Sequence, residues 1–306
     1  MKDYDLVVVG AGLAGLTAGM FGSRYGLKTA IVDYMASGGQ VLNVEKIVDY
    51  PGFPQGVAGY ELGPLVQEQA EAAGADFYFD TVKSAERGDT GVIVRCAENE
   101  LQTKSVIIAA GSTFRSLGIP GESELLGKGI SHCASCDAPL FAGKEVCVIG
   151  GGDSALQEAA VLAEHVARIT VFHRGESFGA QQAILEEFEG KANAESQLNT
   201  EVLAILGDDA VSGVKLRDVR TGESRVQEIS GVFIFAGLEP NTAFLGGLVD
   251  LDSGGHVVTD VRLQTSVPGI FAAGDIRQAS ASQLVSAAGD GATAAVFAHR
   301  YVRSLG

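Results

Sequence analysis

Residues 6–9, Leu6-Val7-Val8-Val9, form a continuous apolar run, the pattern of a strand buried on both faces. A glycine turn follows, Gly10-Ala11-Gly12-Leu13-Ala14-Gly15, then helical periodicity to about residue 25 and a second strand-like run, 29–32, ending at Asp33. The same order recurs later in the chain. A strand-like run at 145–149 leads into Gly150-Gly151-Gly152-Asp153-Ser154-Ala155, a helical stretch to about residue 165, and a run at 168–172 that ends on His173-Arg174. Each copy then enters short strands and turns, 80–111 in the first and 200–237 in the second, closing on Ala109-Ala110-Gly111 and Phe235-Ala236-Gly237. Arg87-Gly88-Asp89 and Arg220-Thr221-Gly222 mark turns within them.

The tail does not repeat. It carries Phe271-Ala272-Ala273-Gly274-Asp275 and a last helical stretch from about 282 to 305. This tail is expected to return to the first domain, with the second inserted into it. The predicted domains are 1–113 with 242–306, and 114–241. The fold class is α/β, two Rossmann-like dinucleotide-binding domains, each a three-layer β/β/α arrangement.

Composition narrows the function. Lys and Arg number 22 against 38 Asp and Glu, a net charge of −16. That balance disfavours duplex nucleic acid and anionic membrane surfaces as partners, both of which attract basic faces. Glycine is enriched, 41 of 306 residues, about 13% against a usual 7%, and clusters at strand ends. No apolar run approaches the roughly 18 residues that span a bilayer. The start of the sequence lacks the basic and small-residue signature of a signal peptide, so the expected location is cytoplasmic. Four cysteines are too few for a secreted disulfide framework.

The first glycine turn reads G-x-G-x-x-G between a strand and a helix. There the first Gly makes the turn, the second admits a pyrophosphate, and the third lets helix and strand pack closely. Asp33, 23 residues after Gly10, stands where a carboxylate accepts from ribose hydroxyls. The second turn places Ala155 at the third position, and the cation Arg174 at its second strand end suits a 2′-phosphate. A packing turn that binds nothing is the alternative for each. Cys133-Ala134-Ser135-Cys136-Asp137 puts two thiols at C-x-x-C spacing at the start of a helix, where a helix terminus lowers thiolate pKa. Asp137 is placed to give or take a thiol proton. Cys96 and Cys147 lie singly in predicted strands and read as core residues, so no metal site is expected. His132 either stabilises a thiolate or faces solvent. Glu186-Glu187-Phe188-Glu189 reads as a solvated helix face.

These motifs, with Gly38-Gly39-Gln40, Asp49-Tyr50-Pro51-Gly52 and Gly274-Asp275, resemble end to end the low-molecular-weight thioredoxin reductase family of flavoproteins. The resemblance implies FAD on the first domain, NADPH or NADH on the second, a homodimer, and thioredoxin or another disulfide as substrate. It places Gly10, Gly12, Ala14, Gly15, Asp33, Gly39, Gln40, Asn43, Val82, Gly111, Gly274, Asp275, Ser282, Gln283 and Leu284 around FAD. It places Gly150, Gly152, Asp153, Ser154, His173 and Arg174 around the nicotinamide nucleotide. Cys136 would be the flavin-proximal sulfur, Cys133 the interchange thiol and Asp137 the acid. Because the C-x-x-C and the nicotinamide site share a domain, that domain is expected to rotate about its two crossings between half-reactions. The family's H-R-R-x-x-x-R pattern appears here as His173-Arg174-Gly175-Glu176-Ser177-Phe178-Gly179 and keeps only Arg174 of its three arginines, which leaves NADPH and NADH both open. Other chemistries on the same fold also stay open: a dithiol oxidase using O2, a ferredoxin-dependent reductase, or a non-enzymatic redox-sensing module.

Overall fold

A computed structural model of the chain describes residues 2–35, 37–88 and 91–306, without the side chain of Ser135. Asp89 of the expected Arg87-Gly88-Asp89 turn falls outside the described residues. In chain order the elements are β1 (Lys2–Val9), α1 (Leu13–Arg24), β2 (Thr29–Asp33), α2 (Gly59–Ala72), β3 (Asp76–Phe79), β4 (Val82–Gly88), β5 (Gly91–Cys96), β6 (Glu100–Ile108) and β7 (Ser112–Phe114). There follow β8 (Ile130–Ser131), α3 (Ala134–Asp137), β9 (Glu145–Gly150), α4 (Asp153–Ala163), β10 (Arg168–Phe172), α5 (Gln182–Glu189) and β11 (Ala194–Gln197). The chain ends with β12 (Thr200–Leu206), β13 (Gly213–Asp218), β14 (Ser224–Glu228), β15 (Gly231–Phe235), β16 (Leu238–Pro240), β17 (Ile270–Ala272) and α6 (Leu284–Ser304).

The chain divides into two units, Met1–Thr113 with Glu239–Gly306, and Phe114–Leu238. Residues 239–241, expected with the inserted unit, belong to the first. The Asn241 main-chain N–H donates to Gly111 O (3.0 Å) and its side-chain amide to Ala110 O (2.8 Å).

In the first unit, β3, β2, β1 and β6 form a parallel sheet that β17 extends along the far edge of β6. That edge is shared: residues 100–103 of β6 pair antiparallel with β5, while 106–108 pair with β17. The two-residue period of the strand sorts the core. Leu6 and Val8 pack toward α1, α2 and α6, whereas Val7 and Val9 pack toward the β4–β5 meander with Ala85, Val92 and Val94.

The second unit repeats the plan with a parallel sheet of order β11-β10-β9-β15-β8 and a separate antiparallel sheet, β12-β13-β14. Val146 and Val148 face α3, α4 and α5, and Cys147 and Ile149 face the meander with Val214 and Leu216. Each unit is therefore helices, parallel sheet and meander in three layers. The short β8 sits beside β15 as β17 sits beside β6, although it precedes its sheet in sequence. No helix among the described residues is long and apolar enough to cross a membrane.

Candidate functional site

In the first unit the three glycines of the turn do different work. Gly10 has φ +105°, and a Cβ there would overlap Ala109 O. A Cβ on Gly15 would overlap the carbonyl of Gly10, so this position lets α1 sit down on the turn. A Cβ on Gly12, the residue that caps α1, would meet open space. Nothing in the fold itself demands glycine at 12; what it preserves is bare amide and free approach at a helix N-terminus.

Other predicted residues gather around this turn. Asp33 accepts the Ala11 N–H at 2.6 Å and the Met35 N–H at 3.0 Å, one on each carboxylate oxygen. Gly38 donates to Ala11 O at 2.7 Å, and a Cβ on Gly39 (φ +59°) would lie 3.3 Å from Gly12 Cα. Gln40 Nε2 donates to Ser112 O at 2.9 Å, next to Gly111. A Cβ on Gly274 would approach Ala14 Cβ to 2.9 Å. Asp275 is raised above the ordinary carboxylate pKa by burial, and its Oδ1 accepts from Ser280 Oγ at 3.3 Å. Ser280 in turn takes the Ser282 N–H at 3.2 Å, Gln283 caps α6 with Ser286 in a capping box, and Leu284 opens the helix. Asn43 ends the 3-10 turn Gly39–Asn43 and is exposed. Val82 opens β4, two residues after Asp80, whose N–H donates to Asp33 O at 2.9 Å.

The sequence reading missed several supports here. Arg277 forms a bidentate pair with Asp290 on α6, Nε to Oδ2 at 2.6 Å and Nη2 to Oδ1 at 3.1 Å. Asp290 Oδ2 also accepts the Gly274 N–H at 3.1 Å. Opposite charges thirteen residues apart carry no periodic signal. Asp80 accepts from the N–H groups of Thr81, Ala97, Glu98 and Asn99 and from the Asn99 amide. The Ser37 and Ser112 hydroxyls are buried without a hydrogen-bond partner, and both flank the glycine turn region. Buried orphan hydroxyls call for a polar partner, so the cradle fits a dinucleotide such as FAD.

The second unit shows the same division of labour. Gly150 must be bare because a Cβ would press on Phe235 O and Ala155 Cβ, while Gly152, capping α4, faces open space. Asp153 is engaged: its carboxylate takes the Gln181 N–H at 2.7 Å and the Gln181 amide at 2.9 Å. Ser154 is exposed on the first turn of α4. The His173 ring lies between the backbones of Gly151 and Gly175, where a Cβ on either would overlap it. Burial lowers its pKa, with Arg174 adding to the effect against main-chain hydrogen bonds, so the ring is neutral at pH 7. Arg174 is then the cation of this strand end, exposed, with Glu176 exposed two residues on. This open, singly cationic cradle fits a nicotinamide nucleotide.

Cys133 and Cys136 form a disulfide, S–S 2.06 Å with Cα atoms 5.4 Å apart. The expected helix is one turn, α3, continued by the 3-10 turn Ala138–Phe141. Cys133 caps α3, and its Sγ accepts the Cys136 N–H at 3.3 Å. Ser131 Oγ accepts the Cys133 N–H at 3.0 Å. Glu158 on α4 accepts the Ala134 N–H at 2.8 Å, a contact the sequence reading did not find because it joins residues 24 apart. Cys136 is exposed and Cys133 half-buried; the Asp137 carboxylate makes no hydrogen bond or ion pair among the described residues. His132 is half-buried. Its Nδ1 bonds Ile234 O at 3.0 Å, and its ring stacks on Phe114.

The other thiols are inert by environment. Cys147 is fully buried, which pushes its pKa up, and burial with the Asp80 charge pushes Cys96 up to about 11. No cluster of three or more His, Cys, Asp or Glu among the described residues could hold a metal.

The sequence matches the family described as pyridine nucleotide-disulphide oxidoreductase over residues 4–292. It is 41% identical over 303 residues to the thioredoxin reductase of Treponema pallidum, covering 99% of this chain and 98% of that one. Among solved structures, Lactococcus lactis thioredoxin reductase superposes with a TM-score of 0.96 at 36% identity, covering 98% of this chain and 99% of that one. T. acidophilum thioredoxin reductase superposes with a TM-score of 0.94 at 37% identity over 100% of both chains. With two glycine cradles, a closed C-x-x-C and a match that runs nearly end to end, the chain belongs to the pyridine nucleotide-disulphide oxidoreductase family of oxidoreductases.

Proposed function

We propose that the chain is a thioredoxin reductase that works as a homodimer, its Met1–Thr113 and Glu239–Gly306 unit holding FAD and its Phe114–Leu238 unit holding NADPH or NADH. Gly10, Gly12, Gly15 and Asp33 would hold the pyrophosphate and adenosine ribose of FAD, with Gly39, Gln40 and Asp275 along the rest of the group. Gly150, Gly152, Ser154 and Arg174 would hold the nicotinamide nucleotide. FAD, when bound, takes a hydride from the nicotinamide and makes its electron pair available to a disulfide.

The observation that carries the reading is the disulfide at the cap of α3 in the unit that also bears the second glycine turn. On two-electron reduction the Cys133–Cys136 bond breaks at the exposed Cys136 sulfur, and Cys133 leaves as a thiolate. The Cys136 N–H at 3.3 Å from Cys133 Sγ stabilises that charge. The Cys133 thiolate attacks one sulfur of the thioredoxin disulfide and expels the other. Asp137 takes the Cys136 thiol proton and passes it to the departing sulfur. The Cys136 thiolate then attacks Cys133, expels the second substrate sulfur as a thiolate that takes its proton from water, and restores the original bond. Arg174 pairs with a 2′-phosphate, while Glu176 beside it disfavours one, so both nucleotides stay within reach.

Stopped-flow absorbance of a Cys136→Ser variant tests this. The flavin should still bleach with NADPH or NADH while thioredoxin reduction is lost. A Cys136→Ser protein that reduces thioredoxin at the parent rate would overturn the assignment.

A further inference from the structure

Resting on the reductase reading, we propose that Glu158 is a positioning residue that sets the reducing power of the Cys133–Cys136 pair. Its carboxylate sits on the first amide of the turn that carries the disulfide, 2.8 Å from the Ala134 nitrogen. At this cap the Cys136 N–H favours a Cys133 thiolate, while the Asp137 carboxylate in the same turn opposes it, as it does in the parent and in every Glu158 variant alike. The Cys136 N–H points at its sulfur (3.3 Å) at the N-terminal end of this single turn. Glu158 places a fixed negative charge on the adjacent amide of that same end. An anion next to a forming anion disfavours it, so the charge holds the Cys133 thiol protonated to higher pH than the cap alone would.

The consequence reaches the redox balance. The reaction is disulfide plus two electrons plus two protons to dithiol, and the reduced form gains stability to the extent that Cys133 ionises. A group that opposes ionisation makes the reduced pair less stable and a stronger donor. Glu158 has a second feature that suits the role. It stands on α4, whose N-terminus is the second glycine turn, so the charge is held by a helix anchored independently of the disulfide.

Glu158→Gln separates charge from hydrogen bonding, because the amide oxygen still accepts the Ala134 N–H. The holoenzyme is equilibrated in glutathione buffers, and the open fraction of the pair is counted by alkylation and mass spectrometry. The pH profile of the Cys133 alkylation rate gives its pKa. Glu158→Gln should lower that pKa by about one unit and shift the equilibrium toward dithiol about threefold to tenfold, about 15 to 30 mV at 29.6 mV per tenfold. Glu158→Ala should move both readouts the same way, and Glu158→Asp should restore them. Parent values in both neutral variants would overturn the role of Glu158. A parent pair that never opens in these buffers would instead overturn the reductase reading on which it rests.

Discussion

Asp290→Ala should loosen one loop selectively. The carboxylate accepts three hydrogen bonds, at 2.6 and 3.1 Å from Arg277 and 3.1 Å from the Gly274 N–H. The two side chains are 18% and 13% exposed. Breaking a fully buried ion pair costs about 3–5 kcal/mol, because the surviving charge is left without a partner. Two facts reduce that here. Some water reaches the pair, and Arg277 Nη1 keeps its bonds to Gln278 O and Ala279 O at 3.1 and 3.4 Å. The expected loss is about 2–3 kcal/mol, confined to the 274–283 loop and the first half of α6. Because the two units can unfold separately, a single melting curve is the wrong readout. Hydrogen–deuterium exchange with peptide resolution is the right one. Amides of the loop and of α6 should exchange about thirtyfold to a hundredfold faster, with peptides from 114–238 unchanged as the internal reference. Arg277→Met added to Asp290→Ala should recover most of the protection, since no buried charge then lacks a partner. An increase below about fivefold, or an equal one throughout 114–238, would refute the reasoning.

The glycine turn and the Asp80 cluster give two sharper contrasts. Gly15→Ala drives a Cβ into the Gly10 carbonyl and should cost about 1–3 kcal/mol, whereas Gly12→Ala should leave stability within about 1 kcal/mol and weaken FAD binding at least tenfold, as urea titration and fluorescence titration would show. Burial works to raise the Asp80 pKa, but its hydrogen bonds to the charged form prevail and lower it. Its stabilising contribution is therefore present above an unfolded pKa of about 4 and lost as pH falls through the lower folded value. Asp80→Asn should cost about 1–3 kcal/mol at pH 7 and flatten the acid side of the stability–pH profile measured by urea unfolding.

Much of this was readable along the chain, for physical reasons. The runs at 6–9 and 145–149 announce strands buried on both faces, and the turns after them admit few structures that satisfy Gly10, Gly15 and Gly150 at once. The C-x-x-C declares itself by spacing. What stayed hidden is tertiary. Glu158, Asp80 and the Arg277–Asp290 pair act across loops, where nothing in local periodicity couples the partners. His132 and His173 were legible as histidines but not as rings, one stacked on Phe114 and one held between two glycines. The helix after Cys133 proved a single turn because Pro139 and the following 3-10 segment redirect the chain.

The shared edge of β6 bears on how the polypeptide reaches its folded state. Its last pairing partner, β17, and the helix that interlocks with α1 through Gly291 both lie beyond residue 269, after the whole inserted unit. On a ribosome, the segment 114–238 emerges uninterrupted and can settle while the lobe around it still lacks a strand and a helix. The unit built from Met1–Thr113 and Glu239–Gly306 is therefore the last to close, and until it does, half of one edge of its central strand stays bare.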